Sequence, residues 1–249
     1  MRTQFVREIP WQERERGFDR GEIEVCWMCG WPYAVRADNP WVGLDLIAAP
    51  VMADPRYLDQ PVYFSDVVVH ADSKFESFEN LRGGSWAYNE PMSHSGYNVV
   101  RHFLAAQNAH GGFLGSVVES GSHEASIDLV LSQAVDWSAI DSTVLEAILR
   151  LRPELKPLLR VIETLGPSPA PPWVVRSSMS RALRDALRNE FLTMHERAEG
   201  EAILQGAAVR RFGAVDDRYY DSIREMAAAG ENLQQGPGGV HRQQIRDPD

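Results

Sequence analysis

Pro61–Asn98 reads PVYFSDVVVHADSKFESFENLRGGSWAYNEPMSHSGYN, and the rest of the chain can be read outward from it. Val62–Val69 (VYFSDVVV) is β-branched and almost continuous, which predicts a strand covered on both faces. Ser85–Tyr88 (SWAY), behind Gly83-Gly84, predicts a second, short strand. Asn89-Glu90-Pro91-Met92 is a turn. Beyond it Val99, Val100, Phe103 and Leu104 fall on an i, i+3, i+4 stripe, a helix with Ser93 or Ser95 as its N-cap.

The same alternation continues on both sides. Downstream, Phe113–Glu119 reads as a strand and Ser122–Gln133 as a helix capped by Ser122. Ala134–Ile140 is a strand, Asp141 or Ser142 caps a helix through Arg150, and Leu158–Leu165 is a strand. Gly166–Pro172 (GPSPAPP) can be neither helix nor central strand and reads as an extended connector. Trp173–Arg176 is one more strand. Ser180–Glu196 is the strongest helix, with Leu183, Leu187, Phe191 and Met194 on one stripe. Helices follow at Glu199–Gln205 and Asp221–Ala229, and the polar segment after Gly230 reads as a disordered tail. Upstream, Glu22–Met28 and Leu46–Met52 are strands. Strands alternating with helices predict α/β layers with mainly parallel pairing. Strand and helix material on both sides of the proline-rich connector favours two lobes.

Composition narrows the function classes. The 249 residues are 44% hydrophobic and 24% charged, which is ordinary globular composition and excludes collagen, a small disulfide scaffold or disorder of the body. The formal net charge of −10 argues against gripping nucleic acid or anionic lipid through a general field. A bound anion therefore needs a local positive site. No stretch approaches 18 consecutive apolar residues, so no membrane span is expected. Met1–Gly21 lacks a continuous apolar run and is not a secretory signal as written. The two cysteines, Cys26 and Cys29, cannot make a disulfide framework. Their C-x-x-C spacing falls inside a predicted strand, on opposite faces, which disfavours redox or metal chemistry.

Three strand-to-helix junctions could carry chemistry. In Asn89–Asn98 (NEPMSHSGYN) two serines flank His94 where a helix begins. The first N–H groups of a helix lack internal partners, and its dipole adds partial positive charge. The hydroxyls of Ser93 and Ser95 can donate to the same oxyanion, and Gly96 allows close backbone approach, so the segment is a candidate anion cradle. Ordinary capping is the alternative. In Glu119–Ser126 (ESGSHEAS), His123 either donates to a ligand oxygen or closes its turn. Asp141 is either a ligand contact or only an N-cap. Trp27, Trp31, Tyr33, Tyr57 and Tyr63 crowd other strand ends, as core or as cleft lining. No G-x-S-x-G, H-E-x-x-H, P-loop or G-x-G-x-x-G motif fixes an enzyme.

The opening run, in this order, resembles the substrate-binding proteins of phosphate/phosphite/phosphonate-type ABC transporters: an aromatic-x-Ser strand, V-x-x-D-S, Ser-Phe-x-x-Leu-Arg-Gly, and Ser-x-Ser-Gly into a helix. ESGSHEASIDLVLSQAVDWSAIDS, LRVIETLGPSPAPPWVV and RRFGAVDDRYYDSIREM extend the likeness over roughly Gly21–Met226. The resemblance implies an α/β, two-lobed periplasmic binding protein type II-like fold with mixed sheets and a hinge of two crossovers. It implies lobe 1 at residues 1–69 plus 173–229, lobe 2 at 70–172 and a disordered tail at 230–249. It assigns the ligand oxygens to Ser93 and Ser95, with His94 in the middle position, Tyr63 and His123 completing the shell, Asp141 contacting a cationic or hydroxyl part of the ligand or accepting a proton from it, and Tyr33 (or Trp31) as the loosely aligned aromatic of the first lobe. His94 departs from the family, which often has Thr there. The first strand-helix unit before Gly21 is expected to be absent or shortened.

The resulting expectation is a solute-binding protein, not an enzyme, that captures a phosphate- or phosphonate-like oxyanion without cofactor or metal. Its expected partners are the small anion and an ABC transporter permease, with no nucleic acid and no direct membrane insertion. The family is periplasmic, and the missing signal leaves the cytoplasm open. A cytosolic effector-binding module or an enzyme using the same cleft are the alternatives.

Overall fold

A computed structural model of the chain describes residues 3–6, 8–107 and 112–231. The chain divides into two compact units. The first comprises Met1–Val62 and Pro169–Asp221, the second Tyr63–Ser168 and Ser222–Asp249. The first division thus falls several residues before the expected 69/70, because the strand that begins at Val62 is laced into the second unit's sheet. The expected tail lies, beyond Glu231, outside the described residues.

In the first unit the elements run α1 (Trp11–Arg20), β1 (Val25–Trp27), α2 (Gly30–Ala37) and β2 (Leu44–Met52). The second unit holds β3 (Val62–His70), β4 (Trp86–Tyr88), α3 (Val99–Ala106), β5 (Val117–Glu119), α4 (His123–Leu131), β6 (Trp137–Asp141), α5 (Ser142–Leu151) and β7 (Leu159–Pro169). The chain then completes the first unit with β8 (Trp173–Arg176), α6 (Arg181–Leu192), α7 (Ala198–Gly206) and β9 (Val209–Gly213); α8 (Asp221–Glu231), the last described element, belongs from Ser222 on to the second unit and not to the expected lobe 1.

The first unit's sheet has the order β1-β8-β2-β9, and its three pairings are all antiparallel. This corrects the expectation of mainly parallel strands. β8 re-enters the unit only after the whole of β3–β7, so no direct crossover fixes its direction against β2. Helices α1 and α2 and strand β9 were not foreseen. α1 is tied to α2 by the Arg36 guanidinium, 2.9 Å from the buried Glu15 carboxylate and 2.8 Å from Asp19. Cys29 occupies the N-cap of α2 and is not within a strand, while burial pushes the Cys26 thiol up to about 11. A thiol held in that range is protonated at neutral pH and inert as a nucleophile.

The second unit's sheet has the order β5-β4-β6-β3-β7 and is mixed: β4 runs parallel to β5 and β6, and β3 antiparallel to β6. The β-branched run of β3 is buried on both faces as read. Val67 and Val69 face one apolar cluster, and Val68 faces another with Ile127, Ile140 and Leu145. β7 runs on through Gly166–Pro169, so the expected connector is in part strand. It is an edge strand, where a proline without an N–H breaks no ladder that a neighbour needs.

The larger cluster is built around stacked aromatic rings. Trp86 of β4 and Trp137 of β6 are register partners, with ring centroids 5.5 Å apart and planes at 15°. Tyr97 also stacks on Trp86, at 5.8 Å and 8°. Phe78 meets Trp137 edge-on at 5.7 Å. Trp86 is fully buried. Trp86→Ala is expected to lower the unfolding free energy by about 3–5 kcal/mol, measured by chemical denaturation. A loss under about 1 kcal/mol would show that the stack does not hold the core.

Candidate functional site

The turn from β4 into α3 is the centre of the second unit's polar constellation. Ser93 is extended and caps the turn, its hydroxyl oxygen accepting from the Gly96 N–H at 3.1 Å. His94–Asn98 then form one π-turn before α3: the Asn98 N–H bonds the Ser93 carbonyl and the Val99 N–H bonds the His94 carbonyl. Such five-residue steps at a helix start concentrate at functional sites. A capping hydroxyl that accepts still has its own proton to donate.

The turn is pinned from the sheet. Ser65 of β3 donates its hydroxyl to the Ser95 carbonyl at 2.6 Å. Ser65 is also the register partner of Asp141 at the end of β6, so Tyr63, Ser65 and Asp141 share one face of the sheet. Tyr63 is fully buried, with its ring centroid 6.4 Å from that of His94. Thus the second unit brings Tyr63, Ser93, His94, Ser95, His123 and Asp141 into one neighbourhood. Tyr33 belongs to the first unit, where its hydroxyl donates to Asp217 at 2.7 Å and its ring lies 4.6 Å from Tyr220.

His94 is buried completely, and both of its ring nitrogens are engaged. Nδ1 accepts from the Asn98 amide at 3.1 Å, which leaves Nε2 to donate to the Ser168 hydroxyl at 3.0 Å. Burial holds its pKa down to about 3, so the ring is neutral. Its geometry is that of an internal brace behind the turn, linking it to Ser168 at the end of β7.

His123 is the first residue of α4, where Ser122 caps the helix by accepting from the Ala125 N–H at 3.0 Å. His123 Nε2 lies 3.2 Å from the Ser95 hydroxyl. Burial lowers its pKa to about 4, so this ring too is neutral. A neutral imidazole and a hydroxyl carry two protons between them. One closes the Ser95–His123 bond. The other is left for a third group, on Ser95 or on His123 Nδ1 according to the tautomer. His123 Nδ1 is buried and has no hydrogen-bond partner among the described residues, and neither has Asn89 Oδ1. Buried polar atoms are nearly always paired, so two orphans at one turn are hydrogen-bonding capacity that the described residues leave unmet.

Gly96 is required by this packing. A Cβ there would lie 2.1 Å from Asn89 Oδ1 and 3.2 Å from His123 Cε1. Asp141 is the N-cap of α5: its Oδ1 accepts from the Thr143 N–H and hydroxyl and from the Val144 N–H. Burial outweighs these bonds and raises its pKa to about 6. Ser65, Asn89 and Ser168 were not foreseen as members. Ser65 carried a signal, as a hydroxyl on the inward face of an apolar strand. Asn89 and Ser168 carried none, since their roles exist only in the folded unit.

A family described as ABC transporter, phosphonate, periplasmic substrate-binding protein matches residues 2–220. The chain belongs to this phosphonate-binding family. The phosphonates-binding periplasmic protein of Escherichia coli K12 is 24% identical over 171 residues, which cover 67% of this chain and 51% of that protein. The chain thus matches about half the length of that curated relative. Among solved structures, a binding protein component of an ABC phosphonate transporter from Pseudomonas aeruginosa superposes with a TM-score of 0.78 at 23% identity, over 90% of this chain and 74% of that one. PhnD1 of Prochlorococcus marinus, solved with methylphosphonate, gives a TM-score of 0.78 at 20% identity, over 93% and 86%. At these identities the superpositions establish the α/β fold with mixed sheets that this family of binding proteins shares.

The two neutral histidines and Asp141 contribute opposing terms to the acid response. In the unfolded chain the imidazoles take up protons near 6.5, whereas folded His94 and His123 hold out to about 3 and 4, so stability falls as pH drops below 6.5. Asp141 acts oppositely: its folded pKa of about 6 exceeds its ordinary 3.8, so protonation favours the fold between those values. These three groups together take up about one proton on unfolding near pH 5, a contribution of about 1.4 kcal/mol per pH unit. Denaturant midpoints measured from pH 7 to 4.5 should fall accordingly, and a flat profile from pH 6.5 to 5 would contradict the neutral, buried imidazoles.

Proposed function

We propose that this protein is the solute-binding component of an ABC-type importer and captures a small phosphonate- or phosphate-like oxyanion at the Ser93–Gly96 turn. The observation that carries the reading is the pair of orphaned buried atoms, Asn89 Oδ1 and His123 Nδ1, set beside a turn with two serine hydroxyls. The family to which the chain belongs supports the same class of ligand.

In this reading Ser93 and the Ser95–His123 pair donate to the anion's oxygens. The Asn89 carboxamide oxygen accepts, which suits an anion that still carries a proton or a ligand with an N–H or O–H group. His94 holds the turn from behind. Tyr63 and Asp141 flank the same face of the sheet, and Asp141, with its raised pKa, can take the proton of a partly protonated anion without charge repulsion. The reading is reversible binding without turnover. Its partners are the anion and a permease, and its compartment is the periplasm of the family. Among the described residues no helix is long and apolar enough to cross a membrane.

A thermal-shift and calorimetric titration with methylphosphonate, phosphite, phosphate and sulfate tests it. One of the phosphorus oxyanions should raise the melting temperature, since ligand at about 100 times Kd stabilises by about 2.7 kcal/mol. Ser93→Ala with Ser95→Ala should abolish that shift while keeping the native circular dichroism spectrum. No response of the native protein to any phosphorus oxyanion, or full binding by the double variant, would refute the assignment.

A further inference from the structure

The first unit contains a separate charged cavity of about 320 Å³ between the start of β2 and α6, a volume suited to a small molecule. Asp45, Leu46 and Ile47 form one wall. Arg181, Arg184, Asp185 and Arg188 of α6 form the other. Residues 181, 184 and 188 are spaced i, i+3, i+7, so the three arginines make one stripe along the helix. The neighbouring apolar stripe, with Leu187 and Phe191, packs on Ile47 and Val175 and fixes the helix against the sheet.

The protein satisfies only part of this stripe. Arg184 Nη1 pairs with the Asp45 carboxylate, and Arg188 Nη2 donates to the Leu46 carbonyl. Arg181 Nε lies 3.6 Å from the Asp185 carboxylate, too far for a hydrogen bond, on two largely exposed side chains. Arg184 Nε is buried and has no hydrogen-bond partner among the described residues. Three guanidinium groups face two carboxylates, a local positive excess in a chain of net charge −10. Arg184 and Arg188 are each held by one contact to β2, and a guanidinium fork with a buried, unmatched N–H, as on Arg184, suits an oxyanion that can take two parallel N–H bonds.

We propose that this cavity is a second anion site, distinct from the Ser93–Gly96 turn, for a small doubly charged oxyanion bearing phosphate, sulfate or carboxylate oxygens. Arg184 supplies the buried N–H, and Arg181 and Arg188 close over the remaining oxygens. Asp45 stays with Arg184, and Asp185 turns to solvent.

Inorganic phosphate is the probe, added to the Ser93→Ala/Ser95→Ala protein so that the first site is silent, with sodium chloride at equal ionic strength as control. The arginine Nε–H resonances are followed by ¹H–¹⁵N correlation spectroscopy. One Nε–H resonance, assigned to Arg184 by its loss in Arg184→Lys, should shift saturably with phosphate and not with chloride. Arg181→Gln with Arg188→Gln should weaken that binding at least tenfold while leaving phosphorus-oxyanion binding at the first site unchanged in the otherwise native protein. No saturable shift, an equal shift with chloride, or unchanged affinity in the Arg181→Gln/Arg188→Gln protein would overturn the proposal.

Discussion

The face-to-face packing of Tyr97 on Trp86, and of Trp86 on Trp137, is the contact on which the candidate site depends. Trp86 and Trp137 belong to adjacent parallel strands, so their stacking is set by sheet register. Tyr97 belongs to the π-turn itself, and Arg101 lies 5.1 Å over its ring. An aromatic pair contributes about 0.5–1.5 kcal/mol beyond the area it buries. The turn is therefore positioned from the core outward. Ser65 and His94 add fixed hydrogen bonds from β3 and to β7, each contributing roughly 1 kcal/mol. A turn ordered before its ligand arrives loses less entropy on binding, which is how rigid packing becomes affinity.

The turn itself is neutral: its hydrogen-bonding groups are the Ser93 and Ser95 hydroxyls, the Asn89 carboxamide and the His94 and His123 imidazoles, which burial keeps uncharged, and Asp141 is the ionisable group beside them. Under the proposed function, an acidic chain would bind its anion through aimed dipoles at short range and not through a long-range field. Such a site would read the number and direction of protons on its ligand. Asp141, with a pKa near 6 on the same face of the sheet, makes that reading depend on pH.

Much of this was legible in the residues. β3 was readable because six of its first eight residues are β-branched or aromatic, and α4 and α5 because Ser122 and Asp141 are strong caps. Ser93, Ser95 and His123 stood at strand-to-helix junctions, where polar groups gather. α1 escaped because WQERERGFDR carries few apolar residues and is held by a buried Glu15–Arg36 pair. α2 escaped because Pro32 stands in its first turn, where a missing N–H is harmless. β9 (VRRFG) is too charged to read as a strand and exists by pairing with β2. His94 shows the limit most clearly. Its position between two serines suggested a donor to the ligand, whereas its partners, Asn98 and Ser168, turn it inward. No local pattern encodes Ser168, which lies 74 residues away.

The central claim is that an aromatic stack in the core sets the geometry of an anion-binding turn. Calorimetric titration of the native and Tyr97→Leu proteins with methylphosphonate, phosphite and phosphate tests it most directly. Leucine keeps an apolar side chain over Trp86 but removes the ring. A protein with native secondary structure and affinity reduced at least tenfold is the outcome required by this account. Native affinity in Tyr97→Leu would contradict it, because the turn would then hold its shape without the stack.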